Sequence, residues 1–131
     1  MHRGTTIQTA LRRTWWLGAL ATAGVALAHG DAAPKHGGIL KEADDVHYEL
    51  VVKPDSADLY IEDHGKPVAT TGMRGKLTVL KGAVKTEAEL APAGGNRLTA
   101  AALKIGPGAK VIAAVKSADG KTSTSLRYTI K

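Results

Sequence analysis

A chain of 131 residues makes one domain at most. It contains no cysteine, which excludes disulfides, thiolate metal sites, iron–sulfur clusters and thiol catalysis. Phe is absent and aromatics are 4% of the chain, so a core must come from Leu, Ile, Val, Ala and three tyrosines, while 15 Gly, 5 Pro and 23% charged residues suit a globular chain better than a disordered one.

The formal charge of +6 has a local source. Arg3, Arg12 and Arg13 precede an uncharged apolar run from Trp15 to Ala28. That run is shorter than the roughly 20 residues of a transmembrane helix. It ends in Ala26-Leu27-Ala28, the small-x-small pattern a signal peptidase accepts, and polar, Gly-rich sequence follows at once. Residues 1–28 are therefore expected to be a cleaved signal peptide, which implies a periplasmic or secreted domain. The Arg12-Arg13 pair is compatible with twin-arginine export and does not decide it. Without the leader 103 residues remain, carrying 15 basic and 12 acidic groups, a balance of +3. No basic stripe is interleaved with stacking aromatics, so nucleic acid is not an expected partner. After cleavage nothing is left to span a membrane.

Residues 29–45 read as a flexible arm containing Gly and His, from His29-Gly30-Asp31 through His36-Gly37-Gly38 to Asp44-Asp45. From 46 to 131 period-two alternation takes over. Val46, Tyr48, Leu50 and Val52 share one face, and His47, Glu49, Val51 and Lys53 the other. Leu59 and Ile61 alternate with Asp58, Tyr60 and Glu62; Leu77 and Val79 share a side; Val84, Thr86, Ala88 and Leu90 alternate with Lys85, Glu87 and Glu89. Further strands are expected over 97–104, 109–117 and 122–130, although the Ala-rich stretch Thr99–Leu103 also suits a helical turn. Turn residues separate the runs, and Asp119-Gly120 is the best hairpin signal. About seven short strands predict an all-β fold, a small antiparallel β-sandwich of immunoglobulin-like size.

Chemistry concentrates in four histidines beyond the leader: His29, His36, His47 and His64. Asp31, Asp44, Asp45, Glu49, Glu62 and Asp63 lie near them in sequence. Imidazole with carboxylate suits Zn²⁺, Cu²⁺, Co²⁺ or Ni²⁺. None of the histidines has helical His-x-x-x-His spacing, so a site requires His47 on its strand, His64 in its turn and His36 on the arm to converge. Each has a plainer reading: a solvated strand pair for His47 with Glu49, a turn residue for His64, an exposed arm residue for His36. Met73 could ligate copper or fill a gap in the core. Cleavage after Ala28 would make His29 the first residue, whose α-amine and imidazole can chelate one copper ion. No serine sits in a Gly-x-Ser-x-Gly elbow and no phosphate-binding glycine loop occurs, so an enzyme is not expected.

Several blocks carry a resemblance. They are His36-Gly37-Gly38-Ile39-Leu40, Tyr48-Glu49-Leu50-Val51, Leu59 to Val68 with Asp63-His64-Gly65-Lys66-Pro67, Gly75 to Leu80, and Leu90 to Asn96. Together they resemble small periplasmic proteins associated with cobalt–zinc–cadmium or copper efflux, and the accessory His-Gly-Gly segment of some efflux adaptor (membrane fusion) subunits. The resemblance covers roughly residues 36–105. It implies a β-rich domain that binds a divalent metal, with His36, Asp63 and His64 carried over by position; His47 comes from its strand placement. It also implies periplasmic subunits of a metal efflux pump as partners. The chain lacks the adaptors' coiled-coil hairpin and lipoyl-like parts. The expected function is to buffer or deliver a metal ion in the periplasm. The alternative is a docking domain for an exporter subunit that holds no metal.

Overall fold

The structure is a computed structural model that describes residues 32–131. The expected signal peptide and His29 lie outside the described residues. Nine strands follow one another: β1 (Ile39–Ala43), β2 (Val46–Val52), β3 (Ser56–Asp63), β4 (Lys66–Pro67), β5 (Arg74–Lys81), β6 (Val84–Pro92), β7 (Arg97–Ala101), β8 (Lys110–Lys116) and β9 (Ser123–Thr129). All pairings are antiparallel. Among the described residues no helix is long and apolar enough to cross a membrane.

The strand path is β1-β2-β3-β7-β6-β5-β8-β9, with β4 paired to β3 at the side. Leaving out β1 and β4, one layer runs β2-β3-β7-β6 and the other β5-β8-β9. The arrangement is a small antiparallel β-sandwich, nearly closed like a barrel. The strand that joins the layers is β6, which pairs with β5 along most of its length and with β7 at Ala91 and Pro92. The two ends of the path, β1 and β9, are neighbours without a ladder between them, so the sheet is nearly closed.

Alternation supplies the core. Tyr48, Leu50, Leu59, Ile61 and Leu98 of one layer meet Leu77, Val79, Val111, Val115, Leu126 and Tyr128 of the other in one buried cluster. With no Phe available, two tyrosines fill the large positions. Tyr128 is buried and donates its hydroxyl to the Tyr48 carbonyl at 3.0 Å, tying β9 to β2 across the open seam. Burial pushes the Tyr128 hydroxyl well above the usual tyrosine range, and nearby Tyr48 adds to the shift.

Three local expectations change. Residues 39–43 of the expected arm form β1, because Asp44 and Asp45 both take positive φ (51° and 65°) and close a two-residue hairpin onto β2. Asp tolerates that region better than most residues, which the more familiar Asp-Gly pattern conceals. The strand expected over 97–104 forms but is shorter, Arg97–Ala101, and stops where Ala102 takes φ 54°. Val84 is 65% exposed, because the β5–β6 hairpin extends past the core there. The Asp119-Gly120 hairpin forms between β8 and β9 as its sequence predicts.

Candidate metal-binding cleft

The solvent side of β1-β2-β3 is built by strand register. Glu42, His47 and Glu62 stand in one cross-strand row, and Leu40, Glu49 and Tyr60 in the next. The expected polar face of β2 is not open to water: Glu49 is only 3% exposed. The cover is the segment just before β1. Glu49 Oε2 accepts the amide N–H groups of His36 and Gly38 at 2.8 Å each, and Oε1 accepts the amide of Lys35 at 3.0 Å. Oε1 also accepts the His36 ring, Nδ1 standing 3.0 Å away.

Two glycines allow this wrap. Gly37 at φ +72° turns the chain so that the amides on either side of it reach one oxygen. Gly38 passes so close to β2 that a Cβ there would lie 2.3 Å from the Leu50 carbonyl oxygen. Burial opposes ionisation of Glu49. The hydrogen bonds from the Gly38 amide, the His36 ring, the His36 amide and the Lys35 amide outweigh it, and they hold the carboxyl below the usual range.

His36 is thereby fixed. A carboxylate only accepts, so Nδ1 carries the ring proton and Nε2 presents its lone pair in the neutral imidazole. The ring stacks on Tyr60, with centroids 3.6 Å apart and planes 7° from parallel. Nε2 makes no hydrogen bond among the described residues, and the side chain is 39% exposed. A carboxylate holding one imidazole nitrogen while the other faces outward is the arrangement seen behind metal-ligating histidines.

His36, His47, Glu49, Tyr60 and Glu62 line one cleft of about 160 Å³, with Ala32 and Ala33 on its rim. His47 Nε2 is 3.6 Å from Glu42 Oε2, and Glu62 is held by Lys35 Nζ at 2.8 Å. Although the adjacent Gly65 lines the cleft, His64 does not itself line it. It occupies the turn between β3 and β4 with φ 51°, its side chain is exposed, and its Nδ1 is engaged by the Asp63 carboxylate. The structure thus brings His36 and His47 to one cleft but does not bring Asp63 and His64 to line it. Among the described residues, no three His, Asp or Glu side chains are grouped so as to hold one metal ion together. Two imidazoles in one cleft fall short of the four donors of a closed tetrahedral site. Met73 is 8% exposed and belongs to the core.

Sequence reading passed over Glu49 as an organiser and Tyr60 as a stacking partner. A Glu on an alternating strand looks solvated, and only the tertiary return of residues 35–38 buries it. Comparison with protein-family models, curated proteins and solved structures returned no match. The efflux resemblance thus rests on the sequence blocks alone.

Proposed function

We propose that this domain binds a divalent transition metal ion, Zn²⁺, Cu²⁺, Co²⁺ or Ni²⁺, reversibly in the His36–His47 cleft, buffering or delivering it in the periplasm as part of a heavy-metal resistance system. The observation that carries this reading is the His36 imidazole, clamped through Nδ1 by buried Glu49 and open at Nε2 in the cleft that His47 also lines. Two imidazoles leave coordination positions for water or for a donor from a receiving protein. That incompleteness suits delivery, which requires exchange. The efflux resemblance supports the same assignment, and cleavage after Ala28 would independently add His29, through its α-amine and imidazole, as a further donor.

The test is native mass spectrometry and calorimetric titration of the tag-free protein with each metal. One ion per chain at micromolar concentration or below, lost in His36→Ala and weakened in His47→Ala, is the expected result. Stoichiometric binding that survives the double replacement would defeat it.

A second reading, a docking domain for an efflux-pump subunit, is favoured by the open seam. The facing edges of β1 and β9 are not paired to each other, and a groove of about 610 Å³ between them is lined by Ile39, Leu50, Val52 and Ile130. An added strand could pair there. Binding to such a partner would be indifferent to chelator and to His36→Ala.

A further inference from the structure

Charge is divided unevenly between the layers. Strands β1, β2, β3, β6 and β7 carry seven acidic and three basic groups, whereas β5, β8 and β9 carry six basic groups and no acidic one. Strand alternation decides where the second set points. Leu77, Val79, Val111, Val115, Leu126 and Tyr128 face the core. Their neighbours Arg74, Lys76, Lys110, Lys116 and Arg127 are therefore on the opposite, solvent side of β5-β8-β9, and all five are exposed.

Register makes the arrangement costly for the domain on its own. Arg74 is paired directly with Lys116, and Lys116 with Ser123. Like charges opposite one another across neighbouring strands repel. Lys76 has an internal counter-ion, Glu87 at 3.4 Å, but Arg74, Lys110, Lys116 and Arg127 have none among the described residues. In the next row Glu89 of β6, Lys76, Ala114 and Ser125 are aligned, so Lys76 has acidic neighbours on its β6 side while Arg74 and Lys116 do not. The small Ala114 side chain leaves a shallow depression of about 310 Å³ ringed by Arg74, Lys76, Lys116, Ser123 and Ser125. Cations and hydroxyl donors around a shallow hollow suit a phosphate oxygen.

We propose that the outer face of β5-β8-β9 docks on an anionic phospholipid surface, with a lipid phosphate seated in the depression beside Arg74 and Lys116. Charge complementarity chooses the occupant. The face is predominantly basic, with Glu87 and Glu89 at its β6 margin, and the outward positions of β5, β8 and β9 offer no aromatic side chain to anchor in a protein partner. A bilayer needs no such anchor, because each Lys or Arg near an anionic surface strengthens binding by roughly fivefold. Docked this way, the acidic layer with the His36–His47 cleft faces away from the membrane, open to the aqueous compartment. The inference is independent of whether that cleft binds metal.

The experiment is co-sedimentation of the full chain with vesicles of phosphatidylcholine alone or mixed with phosphatidylglycerol. Binding should require phosphatidylglycerol and should fall away between about 0.1 M and about 1 M salt, as the screening length drops from about 10 Å to about 3 Å. Neutralising two cations together, Arg74→Ser with Lys116→Ser, should weaken it by roughly 25-fold, the product of two such steps. Both positions are exposed, and circular dichroism checks that the double variant folds. Lys41→Ser with Lys66→Ser, on the other layer, should change nothing. Equal binding to both vesicles, or binding that persists in high salt, would mean attachment through the apolar residues 15–28 and would overturn the proposal. So would undiminished binding by the Arg74/Lys116 variant, no binding to either vesicle, or capture by polyglutamate in place of lipid.

Discussion

Replacing Glu49 by Ala should release the segment that carries His36. The carboxylate receives three amide N–H groups, from Lys35, His36 and Gly38, besides the His36 ring. At about 1 kcal/mol net for each amide bond, the loss is about 3 kcal/mol. That figure limits local and global effects differently. If residues 35–38 swing out and their amides find water, the sandwich keeps its urea midpoint and only the segment unfolds. If β1 leaves with them, the edge of the layer is lost and global stability drops. Hydrogen exchange separates the two, because the His36 and Gly38 amides report on the clamp directly and the Leu59 and Leu98 amides on the core. In either case the His36 and Gly38 amides should exchange at least about 30-fold faster, the equivalent of 2 kcal/mol. Under the proposed metal-binding reading, affinity should also fall by about tenfold or more, because Glu49 holds the His36 imidazole in place. Slow exchange at both amides in Glu49→Ala would refute the clamp.

Gly38→Ala attacks the same wrap by crowding. The added methyl meets backbone, the Leu50 carbonyl, so about 2–3 kcal/mol of destabilisation is expected in urea titration. Tyr128→Phe removes one buried hydrogen bond, and thermal and urea unfolding should show a loss of about 1 kcal/mol at unchanged m. Asp58 predicts a pH effect. It is 1% exposed, and burial opposes its ionisation. Lys53 Nζ at 2.7 Å, the Thr99 hydroxyl at 2.6 Å and Arg97 Nη1 at 3.5 Å outweigh burial and keep its carboxyl below the usual range. A depressed folded value means that the stabilisation is whole above the unfolded value of about 3.9 and is lost as pH falls through the folded one. Unfolding titrations from pH 6 downward should show that acid-dependent loss, and Asp58→Asn should flatten it while lowering stability at pH 6.

Much of this protein is determined locally. Period-two alternation through Tyr48-Leu50, Leu59-Ile61, Leu77-Val79 and Leu126-Tyr128 decides which faces are apolar, and those residues are the core. Turn residues such as Asp119-Gly120 divide the chain into strands, because few residues accept the backbone angles a tight reversal needs. The class of fold and most strand positions follow from these two short-range rules. Pairing between distant strands does not. Only the tertiary structure sets β3 beside β7 and β5 beside β8, brings residues 35–38 back over β2, and so converts Glu49 from a solvated strand residue into the buried holder of His36. The same long-range register places Arg74 against Lys116 and leaves His64 out of the cleft lining. Sequence proximity could list the ionisable groups. Which of them share one face is decided by strand pairings that span up to 45 residues, as Ser56 with Ala101 does, and nothing local encodes those.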